Sequence, residues 1–248
     1  MNGYYVKRYA STPARNRAEA NYRWLTRLQG PAHLPELRYS GERELCFQHV
    51  EGRHALPADL TMLAAHLGDV HGSVHQAELR KAELPRPYRA AGGQVLPSFP
   101  ASRLAAVERE LAAGHVPNPR LTISQACRLI TSADGPAAFY KDANPRNFLI
   151  TPDGTPVTID FDDLTLAPFG YDLAKLIVTL AMTHGPIHGA AITEAINAYN
   201  SAVADHCPTM PPATWDELMS WAEIHHILTA RYADNNRYPF RWDQARPS

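Results

Sequence analysis

A chain of 248 residues with 45% hydrophobic content can bury a substantial core in one domain or two lobes, and its net charge of −1 argues against a general nucleic-acid binder. Three scattered cysteines, Cys46, Cys127 and Cys207, fit reduced thiols in a cytoplasmic protein and no zinc site. The opening MNGYYVKRY lacks the apolar core of a signal peptide, and the longest apolar run, Leu173 to Met182, contains the Lys175 charge at its third position and is too short for a bilayer.

The charge is unevenly spread. Residues 1–130 carry 17 basic and 11 acidic side chains, whereas residues 131–236 carry 4 basic and 13 acidic, so the two parts differ in sign. In chain order, Tyr4 to Tyr9 alternates as a strand that includes Lys7. Thr12-Pro13 offers a helix start, and Ala18, Tyr22, Leu25 and Leu28 recur at helical spacing, with Glu19 in the second turn. Glu36 to Tyr39 and Glu44 to Val50 read as two further strands, the second ending in Gln48-His49-Val50 ahead of a Gly52 turn. Leu60, Leu63, Leu67, Val70 and Val74 mark an amphipathic helix, and residues 84–100, rich in proline and glycine, read as a connector or flexible loop. Leu104 to Leu111 and Thr122 to Ile130 are helical. Beyond residue 171 the pattern gives a buried helix over Asp172 to Met182, another through Ile192, Ala195, Ile196, Tyr199 and Val203, and a last one opened by the capping-box spacing Thr214-Trp215-Asp216-Glu217.

The chemistry concentrates between Phe139 and Leu176. Phe148 to Ile150 and Val157 to Ile159 are short apolar runs separated by Pro152, Asp153 and Gly154, the composition of a tight hairpin. Such a hairpin holds its flanking loops side by side, with Asp142 and Asn147 on one side and Asp160, Asp162 and Asp163 on the other. Carboxylates so close repel unless a cation sits among them. Phosphoryl transfer from a nucleotide needs this donor set: one carboxylate to accept or orient the acceptor hydroxyl, and an amide oxygen with a second carboxylate to hold magnesium against the phosphates.

D-x-x-x-x-N, a hairpin, Ile159-Asp160 and then Tyr171-Asp172-Leu173-Ala174 together resemble the aminoglycoside phosphotransferase and choline kinase superfamily, from Tyr4 to about Tyr232. The family pattern H-G-D-x-H-P-x-N is met at Asp142, Pro145 and Asn147, while Tyr140 and Asn144 stand where the histidines would be and Lys141 precedes the aspartate. The resemblance implies an α+β, two-lobe protein kinase-like fold. Residues 1–52 would form a reduced, nucleotide-binding N-terminal lobe without its first two strands, and residues 53–248 a mainly helical C-terminal lobe. It further implies ATP (or another nucleoside triphosphate) and Mg²⁺ as cofactors, Asp142 as catalytic base, and Asn147 and Asp160 on the metal. Lys7 would be held toward the phosphates by Glu19, and the main chain of Gln48, His49 and Val50 would meet the adenine edge. Tyr140 would brace the loop by packing and a hydroxyl hydrogen bond; Lys141 would point to solvent or pair with a phosphate; Asp172 would cap its helix and bond the catalytic-loop backbone.

The expected reaction is ATP-dependent phosphorylation of a hydroxyl on a small molecule such as an aminoglycoside-like natural product. The alternatives are a Ser/Thr kinase acting on a peptide in natural-product biosynthesis and a pseudokinase serving as a binding scaffold. The acidic excess after residue 130 suggests a cationic acceptor docked on acids among Asp162, Asp163, Glu194, Asp216, Glu217, Glu223 and Asp234. A protein partner completing the N-terminal lobe is a further expectation; no nucleic acid or membrane is.

Overall fold

The computed structural model describes residues 3–28, 34–233 and 238–247. The chain opens on β1 (Tyr4–Arg8) and α1 (Thr12–Arg27), followed by β2 (Leu37–Ser40) and β3 (Glu44–Gln48). These strands form an antiparallel sheet in the order β1-β3-β2, with Lys7 opposite Leu45. Ser11, rather than Thr12, caps α1, accepting from the Ala14 N–H at 3.3 Å. One face of α1 buries Ala18, Tyr22 and Leu25. Tyr22 meets Phe47 of β3 and Phe161 from far along the chain, at ring separations of 5.6 and 5.3 Å. An aromatic cluster thus joins the sheet to the loop carrying Asp160.

A two-residue strand β4 (Arg53–His54) leads into α2 (Leu60–Ala77). Residues 84–100, expected to be a connector or flexible loop, are a pinned connector. They contain a small hairpin, β5 (Tyr88–Arg89) and β6 (Val95–Leu96), bury Leu84, Leu96 and Phe99, and bond Phe99 N–H to the Leu84 carbonyl at 2.8 Å. The prolines and glycines there shape tight turns around apolar anchors, which composition alone does not separate from mobility. Helices α3 (Leu104–Ala112) and α4 (Ile123–Thr131) follow, and Thr122 and Gln125 close a capping box on the latter.

Strand β7 (Ala137–Tyr140) brings the chain into the core and pairs with β10 (Thr165–Pro168). The expected hairpin, β8 (Phe148–Ile150) and β9 (Pro156–Thr158), lies between them in sequence. β4 pairs with β8, so Arg53 and His54 belong to the hairpin's sheet rather than to β3's. Gly52 makes this crossing possible, because a Cβ there would stand 2.8 Å from the Ile150 carbonyl oxygen.

Helix α5 (Tyr171–His184) is buried from Tyr171 through Met182, as its apolar run foretells, and Lys175 is buried with it. α6 (Gly189–His206), α7 (Trp215–Ala233) and the short α8 (Trp242–Ala245) complete the larger lobe. α6 lies close against α2 because Gly68 and Gly72 present no side chain to it. A Cβ on Gly68 would collide with the Tyr199 carbonyl oxygen, and one on Gly72 would stand 3.1 Å from the His206 Cβ. Since the obstacle at Gly68 is backbone, the helices must part. Gly68→Ala is therefore expected to destabilise the protein by about 1–3 kcal/mol, the usual range for overpacking, read as a lowered urea midpoint. An unchanged midpoint would contradict this packing.

Candidate active site

Asp142 leaves β7 in the left-handed region, with φ +61°, a conformation Asp and Asn adopt more readily than other residues with a Cβ. The turn is stitched by its own polar groups. Asn144 N–H bonds the Asp142 carbonyl at 2.6 Å, the Asn144 side chain accepts from Arg146 N–H at 3.0 Å, and Asn147 Nδ2 donates to the Asp142 carbonyl at 2.8 Å. Ile159 N–H bonds the Asn147 carbonyl at 3.0 Å, which ties the end of β9 to this loop.

Beneath it lies Asp172, fully buried, whose two oxygens accept from Lys141 N–H at 3.1 Å and Ala143 N–H at 2.8 Å. Asp172 thus holds the backbone of the Asp142 loop, as expected. It does not cap α5: Gly170 stands at the N-cap with φ +80° and no side-chain bond. Tyr199 Oη fixes that corner, accepting from Gly170 N–H at 3.0 Å and lying 2.9 Å from His71 Nδ1.

The Asp142 carboxylate is braced on one oxygen. Oδ1 accepts from the Tyr140 hydroxyl at 2.8 Å and lies 3.3 Å from Lys175 Nζ. Burial works to raise its pKa, but the Lys175 ammonium and the Tyr140 hydroxyl outweigh it and hold the carboxyl below its usual range. Tyr140, in turn, stacks on His225 at 5.9 Å. Lys141 departs from one of its two readings, because it does not face solvent. It is buried with Nζ 2.9 Å from Thr158 Oγ1 and 3.9 Å over the Phe148 ring, and desolvation lowers its pKa to about 8. A strand-end side chain adjacent to an aspartate in the left-handed region is turned inward, which the sequence pattern does not reveal.

Across the hairpin, Lys7 Nζ lies 2.9 Å from Asp160 Oδ1 and 2.9 Å from Asp162 Oδ2, and the Tyr9 hydroxyl also reaches Asp162, at 3.2 Å. Burial lowers the Lys7 pKa, but these two carboxylates more than reverse the effect. The expected Lys7–Glu19 pair is not formed. Glu19 is taken by Arg15, by Arg23 at 2.6 Å and by Ser40 Oγ at 2.8 Å, so its charge is satisfied by its own helix and the β2 end. A different residue of α1 reaches the site. Buried Asn21 donates Nδ2 to the carbonyls of Phe161 and Asp162 at 2.9 and 2.8 Å. It sits on the buried face with Ala18, Tyr22 and Leu25, and a polar residue on an apolar face was the available signal.

Two cavities flank these residues. One of about 310 Å³ is lined by Gln48, His49 and Val50 together with Tyr5, Phe47 and Leu149. The N–H groups of Gln48 and His49 are already bonded, to Glu36 O at 2.8 Å and Gly3 O at 2.9 Å, so Val50 is the residue of the three whose N–H neither bond uses. The other, about 390 Å³, opens on Asp142 and Lys175 and is walled by Tyr140, Asp163, Arg103 and Arg231. Of the acids expected to receive an acceptor, Asp163 lines this cavity but lies 3.2 Å from Arg17 Nε. Asp162 is engaged by Lys7. Glu223 is walled in, bonded to Arg246 at 2.7 and 2.8 Å and to Trp242 Nε1 at 3.0 Å. Glu217 bonds Thr214 as the capping box requires. Asp234 lies outside the described residues.

The donor set suits a hard divalent cation that keeps most of its ligands from elsewhere. Asn147 spends its amide nitrogen on the Asp142 carbonyl, which leaves Oδ1 as an oxygen donor, and Asp160 supplies a carboxylate. Among the described residues no group of three or more His, Cys, Asp or Glu side chains could hold a metal alone, so the nucleotide phosphates and water would complete the shell.

The family model described as the phosphotransferase enzyme family matches residues 2–211. The chain belongs to this family. No curated protein matches by sequence. Among solved structures, the fold is similar to the macrolide 2'-phosphotransferase MphH from Brachybacterium faecium, with 14% identity over 100% of this chain and 85% of that one, at a TM-score of 0.59. It is likewise similar to the choline kinase LicA from Streptococcus pneumoniae, with 13% identity, coverage of 95% and 80%, and a TM-score of 0.57. The aminoglycoside phosphotransferase APH(3'')-Id from Streptomyces rimosus, solved with ADP and streptomycin, matches at 15% identity, coverage of 91% and 86%, and a TM-score of 0.55. The α+β kinase-like architecture and membership in the phosphotransferase enzyme family follow.

Proposed function

We propose that this phosphotransferase moves the γ-phosphoryl group of ATP to a hydroxyl of a small molecule seated in the cavity beside Asp142. The observation that carries the reading is the state of that carboxylate. One oxygen is held from below by Tyr140 and Lys175, its side chain is 48% exposed, and its charge is kept by a neighbouring ammonium. The remaining oxygen, Oδ2, accepts or orients the acceptor proton as the new O–P bond forms and the bond to the leaving ADP breaks. The adenine lies in the apolar cavity beside Gln48 to Val50, and Lys7 is the cation that faces the phosphates. Asn147 Oδ1 and Asp160 would hold magnesium, which when bound offsets phosphate charge and fixes its orientation.

The test is calorimetric titration of ATP with and without magnesium, alongside ADP release in the presence of hydroxylated acceptors. Asp160→Ala is expected to abolish the magnesium-dependent part of ATP binding, weakening it by tenfold or more. If magnesium strengthens binding equally in the wild type and this variant, Asp160 is not a metal ligand.

A further inference from the structure

Arg103 is 4% exposed and lines the cavity that opens on Asp142. Its guanidinium is surrounded by neutral groups. Nε donates to Tyr171 Oη at 2.9 Å, Nη1 to the Phe99 carbonyl at 2.8 Å and to Ser102 Oγ at 3.0 Å, and Nη2 to Thr165 Oγ1 at 3.0 Å. The rings of Phe99, Tyr171 and Tyr140 lie 4.4, 4.7 and 5.1 Å from its central carbon. A guanidinium has five N–H groups, and four are spent on these acceptors. Among the described residues no carboxylate comes within ion-pair distance of it, so the ring faces moderate the charge without neutralising it. A buried cation without a counter-anion is costly.

The rest of the cavity's charge points the same way. Of its carboxylates, Asp142 lies 3.3 Å from Lys175, Glu110 lies 2.9 Å from Arg109, and Asp163 lies 3.2 Å from Arg17. A cationic acceptor would meet carboxylates that already face a cation of the protein, whereas an anion meets a buried charge with no carboxylate beside it among the described residues. Of the acidic excess of the C-terminal sequence, only Asp142 and Asp163 line this cavity, and each already faces a cation.

Resting on the phosphotransfer reading above, we propose that the acceptor carries an anionic group, a carboxylate or a phosphate, beside its hydroxyl, and that Arg103 receives it. Arg103 would be the specificity-determining residue, with its remaining N–H and its charge as the recognition element.

Four small hydroxyl probes of matched skeleton decide the matter: glycerate and glycerol 3-phosphate as anions, glyceramide as the neutral form, and serinol as the cation. Their binding to the full chain, saturated with a non-hydrolysable ATP analogue and magnesium, is measured by saturation-transfer NMR. One or both anions are expected to bind at least tenfold more tightly than serinol and more tightly than glyceramide; which anion leads separates a carboxylate acceptor from a phosphorylated one. Arg103→Gln is expected to reduce the anion-to-cation ratio at least tenfold, and Arg103→Lys to retain part of it. Serinol binding as well as the anions, no discrimination among the four, or no binding of any would overturn the proposal. So would an unaltered ratio in folded Arg103→Gln; if that variant does not fold, the wild-type ratio and Arg103→Lys decide alone. Acceptor-free ATP hydrolysis that needs magnesium and is lost in Asp142→Asn keeps the two readings apart, since it tests the phosphotransfer chemistry whatever the probes do.

Discussion

Asp142→Asn is expected to lower phosphoryl transfer by about 10²–10⁴-fold, the range for losing a general base, while ATP binding and folding stay near wild type. The substitution is clean for a local reason. Residue 142 sits at φ +61°, which Asn tolerates as well as Asp, so the backbone need not move. The amide oxygen can still accept from Tyr140 and Lys175, at the positions where Oδ1 now lies 2.8 and 3.3 Å from them. What disappears is the proton-accepting charge. Asp142→Ala is less informative, because it removes the partner of a buried ammonium at the same time. Steady-state turnover of Asp142→Asn within threefold of wild type would remove Asp142 from the chemistry.

Asp172→Ala is expected to be the most damaging single change to stability. Two backbone N–H groups, those of Lys141 and Ala143, depend on its carboxylate in a fully buried setting. Leaving a buried donor unsatisfied costs about 1–3 kcal/mol, so the pair amounts to roughly 2–6 kcal/mol. Because those two residues flank Asp142, activity should fall even in the folded fraction. Asp172→Asn, which keeps one good acceptor, should fall between the two. Urea unfolding followed by far-UV dichroism measures the loss, and a change below 1 kcal/mol would mean the loop is held by something else.

The legibility of this chain in its sequence follows from how local each feature is. The β8–β9 hairpin, the buried α5 and the placement of Asp142, Asn147 and Asp160 around them rest on short-range patterns: turn residues between apolar runs, an apolar surface all round, and polar residues at fixed offsets. The bonds from Asp172 to the loop backbone were legible for the same reason, whereas the cap expected of it was not formed. What the pattern could not supply was the direction of long polar side chains. Lys7 and Glu19 lie on adjacent elements, yet each finds closer partners of opposite charge, Lys7 across the interface at Asp160 and Asp162 and Glu19 along its own helix at Arg15 and Arg23. Arg103 and Glu223 illustrate the larger difficulty. Their sequence neighbourhoods are those of surface residues, and only tertiary packing buries one among rings and the other against Arg246 and Trp242. A tally of charge by segment therefore says little about any one cavity, because it counts paired and unpaired groups alike.

The bond from Asn21 to the Phe161 and Asp162 carbonyls sets how the two halves of the molecule can shift. Any rocking of α1 over the larger lobe drags the Asp160 segment along, since a buried amide will not readily give up two carbonyl partners. That segment is itself anchored to the Asp142 loop, through Ile159 N–H on the Asn147 carbonyl at 3.0 Å, so α1, Asp160 and Asp142 are held in one connected frame and rocking of α1 alone is resisted.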